Sequence, residues 1–535
     1  MPTERADVLV IGSGPSGAAV TKRLTDLGAR VVCLEQGDWV NPADYPSTRP
    51  DYETSMHRGR FHLSPNVRRR PEDYPVVELG KHPPSVQMFN AVGGSTIHYS
   101  AHFPRFHPSD FRVKTLDGVA EDWPLDYQEL ESYYEMNDRE MGVAGLSGDP
   151  ANPPRPPRPT PPLPLGLMGE ALGRGFDKLG WHWWVAENGI ISRPYDGRPA
   201  CDLHGKCSYG CPIGAKSSPE VTYWPKALKK GATLRTWARV CQVTVNEQGL
   251  ARGAVYYDRP GALHEVTARV VVVCCNGVGT PRLLLNSRSK LFPAGLANST
   301  GLVGKNFMMH AWRQVVGVAD GRVDSHVGPR GVAVACQQFY ETDLQRGFVR
   351  GYSFQAAPTL GPLSYAWAGY ASRALPWGPD HHRVFRKRFP HLLTIWVQGE
   401  DLPVETNRVE LDPEVKDSHG IPAPRVTYTH CENTLRMMEH GAAMARQVLE
   451  AAGAEEILDG GLRQPAWHLL GTARMGSDPK RSVVNAWHQS HDVKNLFIVD
   501  GSSFATSAAV NPTSTIGALA LRCADGIWAR RREWK

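Results

Sequence analysis

Asp7-Val8-Leu9-Val10-Ile11-Gly12-Ser13-Gly14-Pro15-Ser16-Gly17 is the stretch that decides the fold. Val8 to Ile11 is an unbroken apolar run of strand length, and the glycines then punctuate it. A helical pattern follows from Ser16 to about Leu27 and closes at Gly28. A second apolar run, Arg30 to Leu34, ends on Glu35. Strand, turn, helix and strand in this order make a βαβ start, and Gly12-x-Gly14-x-x-Gly17 is placed at its turn. Each glycine has a separate task there: Gly12 permits the tight turn, Gly14 lets the backbone approach a pyrophosphate, and Gly17 lets helix pack on strand. The helix N-terminus, opening near Ser16, supplies N–H groups and the positive end of its dipole. An acid at the end of the second strand, Glu35, bonds a ribose hydroxyl and disfavours a 2′-phosphate. The fingerprint by itself does not choose between FAD and NAD. Its place at the start of the chain, with Gln36-Gly37 after the acid, leans to FAD.

Outward from this unit, two further buried strands extend the same domain. Ala268-Arg269-Val270-Val271-Val272-Val273-Cys274 is a run suited to a parallel strand covered on both faces, and it leads to Gly277, Gly279 and a helix expected from Pro281. Asn495-Leu496-Phe497-Ile498-Val499-Asp500 leads to Gly501 and a final helix. The dinucleotide domain is therefore discontinuous. Residues 149–165 hold nine prolines, a stiff surface excursion. Residues 311–457 carry strand-like runs such as Leu392-Leu393-Thr394-Ile395-Trp396-Val397 and an amphipathic helix from about Glu432 to Ala452. The expected class is α/β: a Rossmann-type domain in segments plus a substrate domain with a mostly antiparallel sheet and helices. The divisions fall at 1–105, 106–230, 231–310, 311–457 and 458–535, the odd-placed pieces forming the dinucleotide domain.

Composition narrows the function classes. A net charge of +6 spread over 535 residues is too dilute for nucleic-acid binding. No run is long and apolar enough for a membrane span. The N-terminus enters a strand directly with no leader, which taken alone points to the cytoplasm. Ten cysteines are too few for a disulfide scaffold at this length.

Five further stretches, in order, accompany the fingerprint: Val92-Gly93-Gly94-Ser95-Thr96-Ile97-His98-Tyr99; Asp122-Trp123-Pro124-Leu125-Asp126-Tyr127; Gly277-Val278-Gly279-Thr280-Pro281-Arg282-Leu283-Leu284; His468-Leu469-Leu470-Gly471-Thr472-Ala473-Arg474-Met475-Gly476; and Asp500-Gly501-Ser502 with Asn511-Pro512-Thr513. Together they resemble the glucose–methanol–choline (GMC) family of FAD oxidoreductases over nearly the whole chain. The resemblance implies FAD contacts at Gly12, Gly14, Ser16, Gly17, Glu35, Gly93, Gly94, Ser95, His98, Val240, Gly277, Asp500, Gly501, Asn511, Pro512 and Thr513. It implies that His468 and Asn511 stand over the reactive edge of the flavin. A neutral imidazole is a suitable base for an alcohol near pH 7. The residues themselves also allow Asn511 to be only a helix N-cap ahead of Pro512, with the helix running from Thr513 to Ile527. The His98 segment resembles the flavin-attachment segment of pyranose oxidases, which implies a covalent bond; a packing histidine is the other reading. His488 and His491 have no motif support and read as solvated loop histidines.

Cys201-Asp202-Leu203-His204-Gly205-Lys206-Cys207-Ser208-Tyr209-Gly210-Cys211-Pro212 spaces its thiols x5 then x3 and ends in Cys-Pro, an echo of ferredoxin runs. Zinc with His204 as fourth ligand, or a disulfide and a spare thiol, are the alternatives. The loop resembles the iron–sulfur segment of bacterial cytochrome-linked sugar and polyol dehydrogenases. That implies a 3Fe–4S cluster on Cys201, Cys207 and Cys211, a small partner subunit or c-type cytochrome, and a periplasmic location reached by co-export, with the cytoplasm as alternative. The function so implied is oxidation of a hydroxyl of a sugar, glycoside or polyol. An oxygen-using oxidase with a structural metal in the loop, and a non-catalytic binding protein on the same fold, are the competing readings. Trp181-His182-Trp183-Trp184 and Tyr365-Ala366-Trp367 could stack on sugar rings or simply pack in a core.

Overall fold

The computed structural model describes residues 4–56, 73–329, 331–359, 361–371 and 374–534. Its central layer is a seven-stranded sheet in which Glu4–Ile11 lies between Val31–Leu34 and Leu263–Val273, all three parallel. Thr233–Arg235 extends the sheet beyond Val31–Leu34. The Leu263–Val273 strand changes neighbours along its length. Its first half pairs antiparallel with Ala251–Tyr257, while Val271 to Val273 pair parallel with Leu496–Ile498. Strands distant in sequence thus join one sheet, and Val270 to Val273 are buried, as a run covered on both faces requires.

Helix ends differ slightly from the sequence reading. The first helix is Pro15–Asp26, since Pro15 suits the opening turn. The helix expected from Pro281 begins earlier and spans Asn276–Asn286, with Pro281 inside it. The carbonyl that Pro281 leaves without an N–H partner, Gly277 C=O, accepts the Thr472 hydroxyl at 2.8 Å instead. The final helix, Thr513–Ala529, packs on Pro15–Asp26, with Arg23 and Asp525 paired at 2.6 Å.

The second layer is a six-stranded sheet in the order Ala454–Arg463, Ala311–Ala319, Leu392–Gly399, Tyr352–Ala356, Val334–Cys336 and Trp183–Val185, with antiparallel neighbours throughout. Alternation along these strands sorts the two faces. Ala311, Val315, Ile395, Val397 and Phe354 enter a core with the helices Glu432–Ala451 and Gly166–Leu179. Trp312, Gln314, Gln355 and Trp396 face the other way and line a cavity between this sheet and the dinucleotide sheet. The proline-rich excursion is tied down by Arg155 and Arg158, both paired with Glu187 at 2.9 and 2.7 Å. No helix among the described residues is long and apolar enough to cross a membrane.

Candidate active site

The cavity, of about 530 Å³, runs from the βαβ turn to the six-stranded sheet. Its glycine cradle tests whether a dinucleotide fits. A Cβ on Gly12 would lie 2.4 Å from the Cys274 carbonyl, and one on Gly17 would lie 1.9 Å from the Gly12 carbonyl. A Cβ on Gly14 would meet nothing within 4 Å, because Gly14 faces the open cleft where a pyrophosphate would lie. Gly94, with φ of 63°, comes so near that its Cβ would be 3.1 Å from the Gly14 Cα. The second glycine motif therefore rests on the first, and Gly93 N–H donates to Ser13 C=O at 3.3 Å.

The other residues expected from the sequence to contact FAD fall into two sets. Ser16, Glu35, Ser95, His98, Val240, Asp500, Gly501, Asn511, Pro512 and Thr513 line the cavity, as do Gly12, Gly14 and Gly94. Gly17, Gly93 and Gly277 stand behind its wall as close-packing positions. Glu35 is held by the Ser13 N–H and hydroxyl at 3.0 and 2.7 Å and by the Gly37 N–H at 2.7 Å. Asp500 accepts from the Thr280 hydroxyl at 2.6 Å and the Ser502 N–H at 2.7 Å, so it joins the second and third segments of the domain. Burial raises its pKa. The donor set, the open glycine cleft and the helix N-terminus at Thr513 fit FAD.

His468 and Asn511 meet at the sheet-side end of this cavity. Asn511 Nδ2 lies 3.5 Å from His468 Nε2. The Asn511 side chain does not cap the final helix, whose N-cap position is Pro512 with no side-chain cap bond. Its Oδ1 instead accepts from Gln355 Nε2 at 2.8 Å and from His102 Nδ1 at 3.1 Å. His468 Nδ1 contacts His310 Nδ1 at 3.0 Å, and His310 Nε2 contacts the Ala508 carbonyl at 2.9 Å. Burial, with His310 and His102 nearby, drives the His468 pKa well below its ordinary value. Burial also lowers His102 and His310, each to about 4. All three rings are thus neutral at pH 7.

His102, His310 and Gln355 did not stand out in the sequence. Nor did the indoles that flank the site: Trp312 lies 5.6 Å from the His468 ring, 5.3 Å from Trp467 and 6.0 Å from Trp396. The aromatics that did stand out lie elsewhere. Trp181 and Trp183 pack against the second core, and Tyr365 packs against Phe385 and Phe389. His488 is not a solvated loop histidine; it is fully buried, with Nδ1 3.2 Å from the Ile498 carbonyl, and burial lowers its pKa to about 3. His491 bonds the Ser482 hydroxyl at 2.9 Å.

The three-cysteine loop adjoins the same cavity. Ser208, between two of the thiols, lines it, and the Ser208 carbonyl accepts from His98 Nδ1 at 2.9 Å. The buried Lys216 ammonium donates to the carbonyls of Ile97 and Cys207 at 2.5 and 2.8 Å, which ties the His98 segment to the loop. Cys207 and Cys211 belong to separate apolar clusters, and the half-buried Cys201 packs against both. Cys201 Sγ accepts the Leu203 N–H, and Cys211 Sγ the Lys216 N–H, each at 3.4 Å. Burial pushes the Cys201 thiol up to about 12. His204 is turned onto Asp202. Among the described residues, no group of three or more His, Cys, Asp or Glu side chains is gathered so as to hold a metal ion.

A segmented dinucleotide domain, a second sheet roofing its cleft, and a neutral histidine beside an amide at their junction define a flavin-dependent oxidoreductase of CH–OH groups. Comparison with known proteins gives the family. Residues 166–312 and 403–520 match the N-terminal and C-terminal parts of GMC oxidoreductase. The chain is 46% identical to the 2-methyl-1,2-propanediol dehydrogenase of Mycolicibacterium austroafricanum, over 98% of this chain and 96% of that one. It is 32% identical to the fructose dehydrogenase large subunit of Gluconobacter japonicus, over 98% of each. Pyridoxine 4-oxidase of Mesorbium loti superposes with a TM-score of 0.68 at 17% identity, covering 97% of this chain and 99% of that one, which is a likeness of fold. The chain belongs to the GMC oxidoreductase family: it is an FAD-dependent oxidoreductase acting on alcohol, sugar or polyol substrates.

Proposed function

We propose that the chain is a dehydrogenase that oxidises one hydroxyl of a polyol or sugar, with compact diols the first candidates, and passes the electrons to a cytochrome-type acceptor. The observation that carries this reading is the pairing of His468 Nε2 with Asn511 Nδ2 on the cavity wall. Gln355 and His102 both donate to Asn511 Oδ1, so the Asn511 amide N–H is the group left to donate to a substrate oxygen. His468 takes the proton from that same hydroxyl, and the Asn511 N–H steadies the oxygen as negative charge develops on it. The cradle from Gly12 to Glu35 would hold FAD, which when bound would supply the acceptor for the hydride that leaves the carbon. The N-terminus of the Thr513–Ala529 helix faces the same cavity and favours negative charge there.

Trp312, Trp396 and Trp467 place three indoles around His468, with Gln314 and Gln355 as nearby amides. FAD would take up most of the cavity, and the space beside the indoles would then suit a compact carbon skeleton with few hydroxyls. The 46% identity to a diol dehydrogenase agrees with this. Turnover of branched diols, linear polyols and ketoses with a one-electron dye is the test. Diols or polyols should lead, and steady peroxide production in air with little dye reduction would favour an oxidase instead.

Two finer proposals concern the loop and His98. Cys201, Cys207 and Cys211, which are not gathered around a common point among the described residues, would have to turn together to hold an iron–sulfur cluster that supplies one-electron transfer; what favours it is the resemblance and the link through Ser208 and Lys216 to the cavity wall. A small subunit or c-type cytochrome would receive the electrons. His98, which lines the cavity, would hold FAD covalently, as the resemblance of its segment implies. Acid-precipitated protein should then stay yellow, and His98→Ala should release FAD into the supernatant. Free FAD from the wild type would end that proposal.

A further inference from the structure

A neutral imidazole is a base at only one of its nitrogens, and which one depends on where its proton sits. Nothing in His468 itself decides this. Its neighbours do. His310 Nε2 lies 2.9 Å from the Ala508 carbonyl. A carbonyl can only accept, so this Nε2 bears the proton, and Nδ1 of a neutral His310 carries a lone pair. His468 Nδ1 lies 3.0 Å from that lone pair and must donate to it. The proton of His468 is thereby fixed on Nδ1, and Nε2, the atom beside Asn511, is left as the acceptor. A protonated His310 would reverse the order: it would donate to His468 Nδ1 and force the proton onto Nε2, the wrong nitrogen for the reaction. Complete burial of His310, with its pKa lowered to about 4, keeps it in the neutral form.

A second observation is independent of the hydrogen bonds. His310 and Ala508 both have left-handed backbone, with φ of 62° and 56°, although neither is glycine. Residues with a Cβ avoid this region unless the surroundings impose it, and such positions concentrate at functional sites. Here the two left-handed residues are the two ends of one hydrogen bond. The segment carrying Ala508 is anchored on either side, by Ser507, whose hydroxyl contacts the Asp401 carbonyl at 3.0 Å, and by the Ala509 carbonyl, which accepts from the Ser353 hydroxyl at 2.7 Å. His310 is not among the residues lining the cavity.

We propose that His310 is a positioning residue that sets the tautomer of His468 and so presents Nε2 to the substrate hydroxyl. This rests on the reading of His468 as the base. Two amide substitutions separate the proposal from a packing role, because each keeps one half of the imidazole. In His310→Asn the side-chain oxygen replaces Nδ1 and can accept from His468, while the bond to Ala508 is lost. In His310→Gln the amide nitrogen replaces Nε2 and can still reach Ala508, while the acceptor for His468 is lost. The limiting rate of flavin reduction at saturating substrate should stay within several-fold of wild type in His310→Asn and fall about 10²-fold in His310→Gln, the scale on which a support for a catalytic histidine acts. The substrate dissociation constant should change little in either. Equal rates in the two variants, or the reverse order, would overturn the proposal. A readout free of turnover and of any variant's folding is the ¹⁵N spectrum of the histidine-labelled wild type, with His468 assigned by its loss in His468→Asn. A protonated Nδ1 and an unprotonated Nε2 are expected on His468, and the opposite pair would also overturn it. If His468→Ala leaves flavin reduction intact, the base assignment itself fails; if His468→Ala is slow but the Asn and Gln variants do not separate, only the role of His310 fails.

Discussion

Flavin reduction by substrate should slow by about 10²–10⁴-fold when His468 is replaced by alanine, the usual scale for loss of a general base. FAD should stay bound, because the residues proposed to cradle it lie along the cavity from Gly12 to Val240, away from His468 in the chain. The pH profile adds a signed expectation. In the proposed mechanism His468 acts in its neutral form, and burial together with His310 and His102 lowers its pKa well below the usual 6.5. A base with a lowered pKa stays unprotonated as pH falls through 6.5 and is lost only at more acid pH. The wild-type rate of flavin reduction should therefore be level across neutral pH and through 6.5. A variant reduced at the wild-type rate removes His468 from the mechanism, and a wild-type rate that halves near pH 6.5 contradicts a desolvated base.

Replacing Cys207 with serine should divide the activity in two. Thiolate-held iron would act after hydride transfer, so substrate-driven bleaching of the flavin should stay nearly intact. Turnover with a cytochrome or other one-electron acceptor should fall steeply, while two-electron dyes that reach the flavin directly continue to work. Cys207 is buried beside Ala101, Ala144 and Ile190, so melting must first establish that the loop and its surroundings are sound. Absence of iron and sulfide in anaerobically prepared wild type, or equal slowing with cytochrome and dye in a soundly folded variant, would end the relay. The loop would then be structural.

Sequence legibility followed a simple physical divide. Features encoded by neighbours in the chain could be read: the Gly12–Glu35 unit, the valine run before Cys274, and the motifs around His468 and Asn511. Features encoded by strand register could not. His102, His310 and Gln355 come from separate segments, and each is ordinary in its local context. Gln355 reaches the site because it pairs with Trp396, and Trp312 pairs with Gln398, in antiparallel strands, which turns Trp312, Gln314, Gln355 and Trp396 toward the cavity. A trace was present at the end of the Leu392–Val397 run, where Trp396 and Gln398 alternate with Ile395 and Val397, and an indole and an amide at period two suit a polar cleft better than a core. Asn511 was open to two readings. Asn-Pro ahead of a helix is a good capping signal, but two donors, Gln355 and His102, compete for its oxygen and win. His488 was misjudged because the turn that carries it folds inward, where its ring bonds the Ile498 carbonyl. For the cysteine loop, spacing indicated nearness but not the direction of each thiol.

Anaerobic mixing of the FAD-loaded protein with a saturating diol or polyol, followed by visible absorbance and product analysis, tests the central claim most directly. Bleaching of the flavin is expected, with one carbonyl product formed per flavin reduced and with no added acceptor. A bound flavin that dithionite can bleach, but that no member of a broad panel of diols, polyols and sugars can, would contradict it.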